Sequence, residues 1–135
     1  MLVTRRVDFS ASHVCRNPAL SDDENRRLYG PAANPYGHGH NYVLEVTLEG
    51  DPDPVTGMVM DLKELKEIVN RQVVEPMDHR FLNYEVEPFK TLIPTPENIA
   101  RVIWDCLAPA LAPRLHSVRL WESPDLSVEY FGEAA

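Results

Sequence analysis

The chain has 135 residues, with 13 lysines and arginines against 21 aspartates and glutamates, and a formal net charge of −8. That length suits one ordinary domain, residues 1–135, and the acidic balance opposes attraction to a nucleic-acid backbone or an anionic membrane. No apolar run is long enough to span a bilayer, and Met1-Leu2-Val3-Thr4-Arg5-Arg6 lacks the apolar core of a signal peptide, so a cytoplasmic protein is expected.

The first element is a strand, Val3 to His13. Val7, Phe9, Ala11 and His13 share one face, and Asp8, Ser10 and Ser12 share the other, so His13 closes an apolar row. About two dozen residues then separate His13 from His38, far more than a hairpin needs. Within them Ser21-Asp22-Asp23-Glu24 reads as a capping box opening a short helix through Leu28. Arg16, Arg26 and Arg27 offer charge to a phosphorylated ligand, although a solvated helix face is the stronger reading. The second strand begins at Gly37-His38-Gly39-His40-Asn41-Tyr42 and continues to Glu49, with Tyr42, Leu44, Val46 and Leu48 on the face that carries His38 and His40.

A turn cluster, Gly50 to Gly57, and a brief extended approach, Met58-Val59-Met60, precede a helix capped at Asp61 and ended by Pro76. A loop follows, Met77 to Pro94, containing Asp78-His79. Thr95 caps a second long helix with Pro96 at its first position, and Ile99, Val102, Ile103, Cys106 and Leu107 form its buried stripe. Pro109 breaks or bends it near the end. Two closing strands, Ser117 to Glu122 and Leu126 to Phe131, are joined at Ser123-Pro124-Asp125. Strands segregated from helices in the order strand, strand, helix, helix, strand, strand predict an α+β layer: a four-stranded antiparallel sheet with two helices on one face. Cys15 in a polar loop and Cys106 in a helical stripe do not suggest a disulfide.

If the first two strands pair antiparallel, His13 comes beside His38 and His40. Three neutral imidazoles without an obvious fourth protein ligand are the donor set of a catalytic Zn2+ site. Asp78 beside His79 is a candidate proton relay, because a carboxylate orients an imidazole and raises its basicity. Glu122 ends the apolar row of Val118 and Leu120 and is a candidate ligand anchor.

Phe9-Ser10-Ala11-Ser12-His13, Gly37 to Tyr42, Thr56-Gly57-Met58-Val59-Met60-Asp61-Leu62, Asp78-His79 with Leu82-Asn83, Thr95-Pro96-Glu97-Asn98 and Glu122 occur in the order and rough spacing of one family. Over nearly its whole length the chain resembles the 6-pyruvoyltetrahydropterin synthase and 6-carboxytetrahydropterin synthase family. The resemblance implies the tunnelling fold, in which the sheets of three subunits close into a barrel and two trimers stack into a hexamer with active sites shared between subunits. It implies that His13, His38 and His40 hold Zn2+, that Asp78 and His79 exchange protons with the substrate side chain, and that Glu122 binds the amino-pyrimidine edge of a pterin. Thr95 and Glu97 fall where the family has further pterin-pocket residues. The implied activity is a zinc-dependent lyase reaction: triphosphate is eliminated from 7,8-dihydroneopterin triphosphate to give 6-pyruvoyltetrahydropterin. The alternatives are the carboxy-producing branch on the route to queuosine and a non-catalytic zinc-binding oligomer that keeps the pterin pocket.

The family's catalytic cysteine, a general base, lies shortly before the His-x-His pair, where this chain reads Gly30-Pro31-Ala32-Ala33-Asn34-Pro35-Tyr36. The nearby thiol is Cys15, two residues beyond His13. It is read as a relocated base, as a fourth zinc ligand, or as a bystander.

Overall fold

The computed structural model describes residues 1–133; the last two residues of the expected 1–135 domain lie outside the described residues. Alternating side chains set up the two longest strands, β1 (Leu2–His13) and β2 (His38–Glu49), which pair antiparallel over twelve residues each, from Leu2 opposite Glu49 to His13 opposite His38. Between them α1 (Asp22–Tyr29) starts at the expected capping box: Ser21 Oγ accepts from Glu24 N–H, and the Glu24 carboxylate accepts from Ser21 N–H.

The helix opened by Asp61 is α2 (Leu62–Val69), and its helical path does not stop at Pro76. A π-helical turn, Asn70–Val74, in which Glu75 N–H reaches Asn70 O, widens the coil and leads into α3 (Glu75–Met77). Pro76 follows this π turn in the first turn of α3, and the coil passes through it without ending. The expected loop from Met77 to Pro94 also contains regular structure: β3 (Arg80–Phe81), α4 (Leu82–Glu85) and a 3-10 turn, Glu87–Lys90. Leu82, Val86 and Phe89 recur at helical spacing and are buried, which holds this segment against the core.

The second long helix, α5 (Pro96–Leu111), is capped by Thr95 as expected and passes through Pro109 for two further residues instead of breaking there; the proline lies within its last turn. Cys106 is half-buried at the margin of the core rather than inside it. The chain closes with β4 (Leu115–Ser123) and β5 (Leu126–Tyr130), while Met58 to Met60 form no strand.

The sheet has five strands in the order β3-β1-β2-β4-β5, not four. The four long strands are antiparallel to their neighbours, and the short β3 adds a parallel edge beside β1. Two residues carry too little periodicity to announce a strand; β3 exists because the edge of β1 offers it unpaired backbone groups. One sheet face, with Phe9, Ala11, Tyr42, Leu44, Val46, Leu48, Val118 and Leu120, is buried in the core together with Leu65, Val69, Ile99, Ile103 and Leu107 from α2 and α5. The other face is polar, with Ser10, Ser12, Asn41, Glu45 and Arg119. No helix among the described residues is long and apolar enough to cross a membrane.

Candidate metal centre and pterin pocket

The register of β1 against β2 brings His13, His38 and His40 to one end of the covered face. One ligand atom from each can be chosen so that all lie within 4.8 Å of one another. His13 Nε2 and His38 Nε2 are 3.1 Å apart. Ligand atoms around a tetrahedral ion at 2.0–2.1 Å are separated by about 3.3 Å, so the His13–His38 pair already has that spacing, and the ligand atom of His40 lies within 4.8 Å of both.

The ring of His13 is only 1% exposed, and its Nδ1 lies 2.7 Å from the Pro94 carbonyl. A carbonyl only accepts, so Nδ1 carries the proton and Nε2 presents its lone pair to the centre of the cluster. Burial lowers the His13 pKa to about 4, with the neighbouring His38 and His40 adding to the effect and the Pro94 bond opposing it. Burial also lowers His38 and His40. All three are therefore held neutral, the state in which imidazole ligates a metal. His38 Nδ1 and His40 Nε2 are buried without a hydrogen-bond partner. Three depressed imidazoles with orphaned nitrogens are a donor set that could hold a divalent cation.

Glu122, at the end of β4, joins this cluster. Its Oε1 lies 3.5 Å from His40 Nε2 without hydrogen-bond alignment, and its Oε2 is buried with no partner. Burial raises its pKa, opposed by His38 and assisted by Glu97. An unpartnered buried carboxylate is costly unless something supplies N–H donors, so Glu122 is a ready acceptor for a ligand. Thr95 uses its hydroxyl oxygen to accept from Asn98 N–H at 3.3 Å, which leaves its own O–H free to donate. Glu97 is exposed in the first turn of α5, close enough for its charge to act on both Glu122 and Cys15.

The thiol of Cys15 lies behind His13, 3.9 Å from Nδ1 and 3.9 Å from the Pro94 carbonyl, on the side of the ring away from the shared Nε2 position. Burial, then the charges of Glu122 and Glu97, push it up to about 11. Its backbone N–H donates to Ala32 O at 2.9 Å, so Cys15 faces the segment in which the family's cysteine is expected. Arg16 pairs with Asp22 at 3.2 Å rather than with the thiol, and Arg26 pairs with Asp23; these partners offset two of the three arginine charges that the sequence offered to a phosphate.

Asp78 Oδ2 lies 2.9 Å from His79 Nδ1. The Ser10 N–H, then His79, hold the Asp78 carboxyl below its usual range. His79 has φ +61 and its side chain is 83% exposed, lining a groove with Ser10, Ser12 and Asn41 on the polar face. The structure thus gathers His13, His38, His40, Glu122 and Cys15 on one face and sends Asp78 and His79 to the other.

Two contributors, the Pro94 carbonyl and the target of Asn83, were not legible in the sequence, whereas the strand period already put Tyr42 on the histidine face. The Pro94 carbonyl fixes the His13 tautomer, the buried Tyr42 hydroxyl lies 3.5 Å from His13 Nδ1, and Asn83 grips the backbone at Val14. A backbone carbonyl leaves no mark on composition. Asn83 sits within a recognisable motif but shows nothing of its target.

A profile described as 6-pyruvoyl tetrahydropterin synthase matches residues 2–133. The chain is 45% identical over 132 residues to 6-pyruvoyl tetrahydrobiopterin synthase of Pongo abelii, covering 97% of this chain and 91% of that protein. It is similar to the solved structure of the Caenorhabditis elegans 6-pyruvoyl tetrahydropterin synthase, with TM-score 0.94 and 38% identity over 98% of this chain and 96% of that one. It is also 33% identical over 116 residues to 6-carboxy-5,6,7,8-tetrahydropterin synthase of Haemophilus influenzae, covering 69% of this chain and 80% of that protein.

Proposed function

Because the chain belongs to the 6-pyruvoyl tetrahydropterin synthase family, we propose that it is a zinc-dependent lyase that converts 7,8-dihydroneopterin triphosphate to 6-pyruvoyltetrahydropterin with loss of triphosphate. The observation that carries this reading is the convergence of three neutral imidazoles and the unpartnered carboxylate of Glu122 at one end of the covered face.

Zn2+ bound by His13, His38 and His40 would supply Lewis acidity to the substrate's side-chain oxygens while keeping an open coordination position. The chain's own groups do the rest. Glu122 accepts the adjacent N–H donors of the pterin's amino-pyrimidine edge, and the hydroxyl of Thr95 and the carboxylate of Glu97 complete the pocket beside it. The Pro94 carbonyl keeps the proton of His13 on Nδ1, so the ring cannot turn its N–H toward the substrate.

His79 moves the protons. Asp78 stays ionised through the Ser10 N–H, orients the imidazole and stabilises it when it charges. Since that pair occupies the polar face, it serves a substrate held on a neighbouring subunit, in a trimer whose sheets close a barrel and in a hexamer of two trimers. Cys15 has two features that bear on a base role. Its place opposite Ala32 favours it, and a thiol pushed up to about 11 opposes it. Asp78–His79 is taken as the base, and the Cys15→Ala variant tests the thiol in that role.

The carboxy-producing reaction is the second reading, favoured by the Haemophilus influenzae relative. We put it second because relatives named for the pyruvoyl product match at higher identity and fuller coverage, which supports the first reading. Zinc-loaded protein and its Cys15→Ala variant, incubated with 7,8-dihydroneopterin triphosphate and followed by mass spectrometry, test all of this. Release of triphosphate with the pyruvoyl product from both proteins is expected. The carboxy product moves the chain to the second reading, loss of turnover in the variant alone makes Cys15 the relocated base, and no turnover by either defeats the synthase reading.

A further inference from the structure

The segment that carries the relay pair runs along the outer edge of β1 over its last residues. At one end, Ser10 N–H donates to Asp78 Oδ1 at 2.9 Å and His79 N–H donates to Ser10 O at 2.6 Å. Next, Arg80 and Phe81 pair in parallel with Ala11 and Ser12. At the far end the side chain of Asn83 takes over from backbone. Its Oδ1 accepts from Val14 N–H at 2.8 Å and its Nδ2 donates to Val14 O at 2.9 Å.

A primary amide carries one acceptor and one donor side by side, the same array that a neighbouring strand presents, so Asn83 extends the β3 ladder to Val14, two residues beyond Ser12, at a point where its own backbone has already turned into α4. Val14 is 4% exposed and lies next to His13, so both of its backbone groups would be buried and unpaired without Asn83. The two residues of β3 are too short to fix their register alone.

We propose that Asn83 is the positioning residue that sets the register of the Asp78–His79 segment against β1, and that through Val14 it also holds the backbone from which the His13 ring projects. The relay on one face and the metal-facing imidazole on the other are then placed by a single clasp. The metal half of this statement rests on the zinc reading above; the register half does not.

The test uses the full-length protein with Asn83→Ala and Asn83→Asp. Amide hydrogen exchange is read at Ser10 and His79, with Leu44 and Val46 in the core of β2 as the reference. A merely structural role lowers global stability and speeds all four amides alike. The clasp predicts that Asn83→Ala speeds Ser10 and His79 by about tenfold or more relative to Leu44 and Val46. Asn83→Asp keeps the acceptor for Val14 N–H but sets a carboxylate against Val14 O, so it falls between wild type and Asn83→Ala. Zinc affinity from chelator competition is expected to fall by about tenfold in Asn83→Ala. Ser10 and His79 amides that change no more than Leu44 and Val46 overturn the proposal. If the exchange ratio shifts but zinc affinity does not, the register role stands and the hold on His13 is overturned. A wild type with no zinc affinity overturns the metal reading and that hold together, and the exchange ratio still decides the register.

Discussion

His13 Nδ1 donates to the Pro94 carbonyl at 2.7 Å, which joins this buried imidazole of the histidine cluster to the residue just before the N-cap of α5. The strand that carries His13 and the helix start that carries Thr95 and Glu97 are thereby one unit, and displacement of either shifts the other.

That buried imidazole makes the metal-free protein sensitive to acid. The folded pKa of His13 is lowered from 6.5 to about 4. Between those values the unfolded chain binds more protons, so the stability that His13 contributes is present above 6.5 and is lost as pH falls through 4. His38 and His40 shift in the same direction. Urea midpoints of chelator-treated protein should fall from pH 6.5 to pH 4, by up to about 3 kcal/mol for His13 alone. A flat profile across that window refutes the burial argument.

Glu122→Gln keeps the shape of the side chain and removes its charge. Pterin affinity should fall by roughly 10- to 100-fold, the scale of a hydrogen bond to a charged group, while zinc stoichiometry stays at the wild-type value. Calorimetric titration of a dihydropterin into zinc-loaded protein measures the first, and metal analysis the second. Unchanged pterin affinity removes Glu122 from the pocket.

His79→Gln and His40→Ala should each abolish most turnover, the former by about 10²-fold or more. Because the relay and the cluster lie on opposite faces of one subunit, co-refolded mixtures of the two variants should regain activity. A mixed assembly confirmed by mass spectrometry that remains inactive rules out sites shared between subunits.

Gly37 and Gly39 separate backbone requirement from mere proximity to the histidines. Gly37 has φ +76, and a Cβ there would come within 2.8 Å of the Phe81 ring and 3.3 Å of His13 O. Gly37→Ala should therefore cost about 1–3 kcal/mol. At Gly39 the nearest atom to an added Cβ is Ala11 O at 3.4 Å, an ordinary contact, so Gly39→Ala should unfold within a degree or two of wild type. Equal thermal shifts in the two variants contradict this account.

Much of the architecture was legible because it repeats. Alternation over Val3 to His13 and over His38 to Leu48 specifies strands of known face, and that alone puts His13, His38 and His40 together once the strands pair. Ser21-x-x-Glu24 and Thr95-Pro96 announce their helix starts by local chemistry, which needs no tertiary partner. The sequence by itself therefore determined the covered face of the sheet, the histidine cluster and the capping of α1 and α5, since each rests on interactions within a few residues or on a single period.

Only the tertiary structure decided the rest. The two residues of β3 become a strand because the edge of β1 is there to receive them, and the path through Pro76 continues because a π turn widens the coil before it. Cys15 looked like a neighbour of the metal ligands, and folding places its sulfur behind His13, on the Nδ1 side. Asp78–His79 looked like a partner of the same centre, and the pairing with Ser10 turns it to the opposite face. For β3 and for Asp78–His79 the deciding contacts with β1 span tens of residues of chain and are made largely by backbone groups, which carry no residue-specific signature in the sequence.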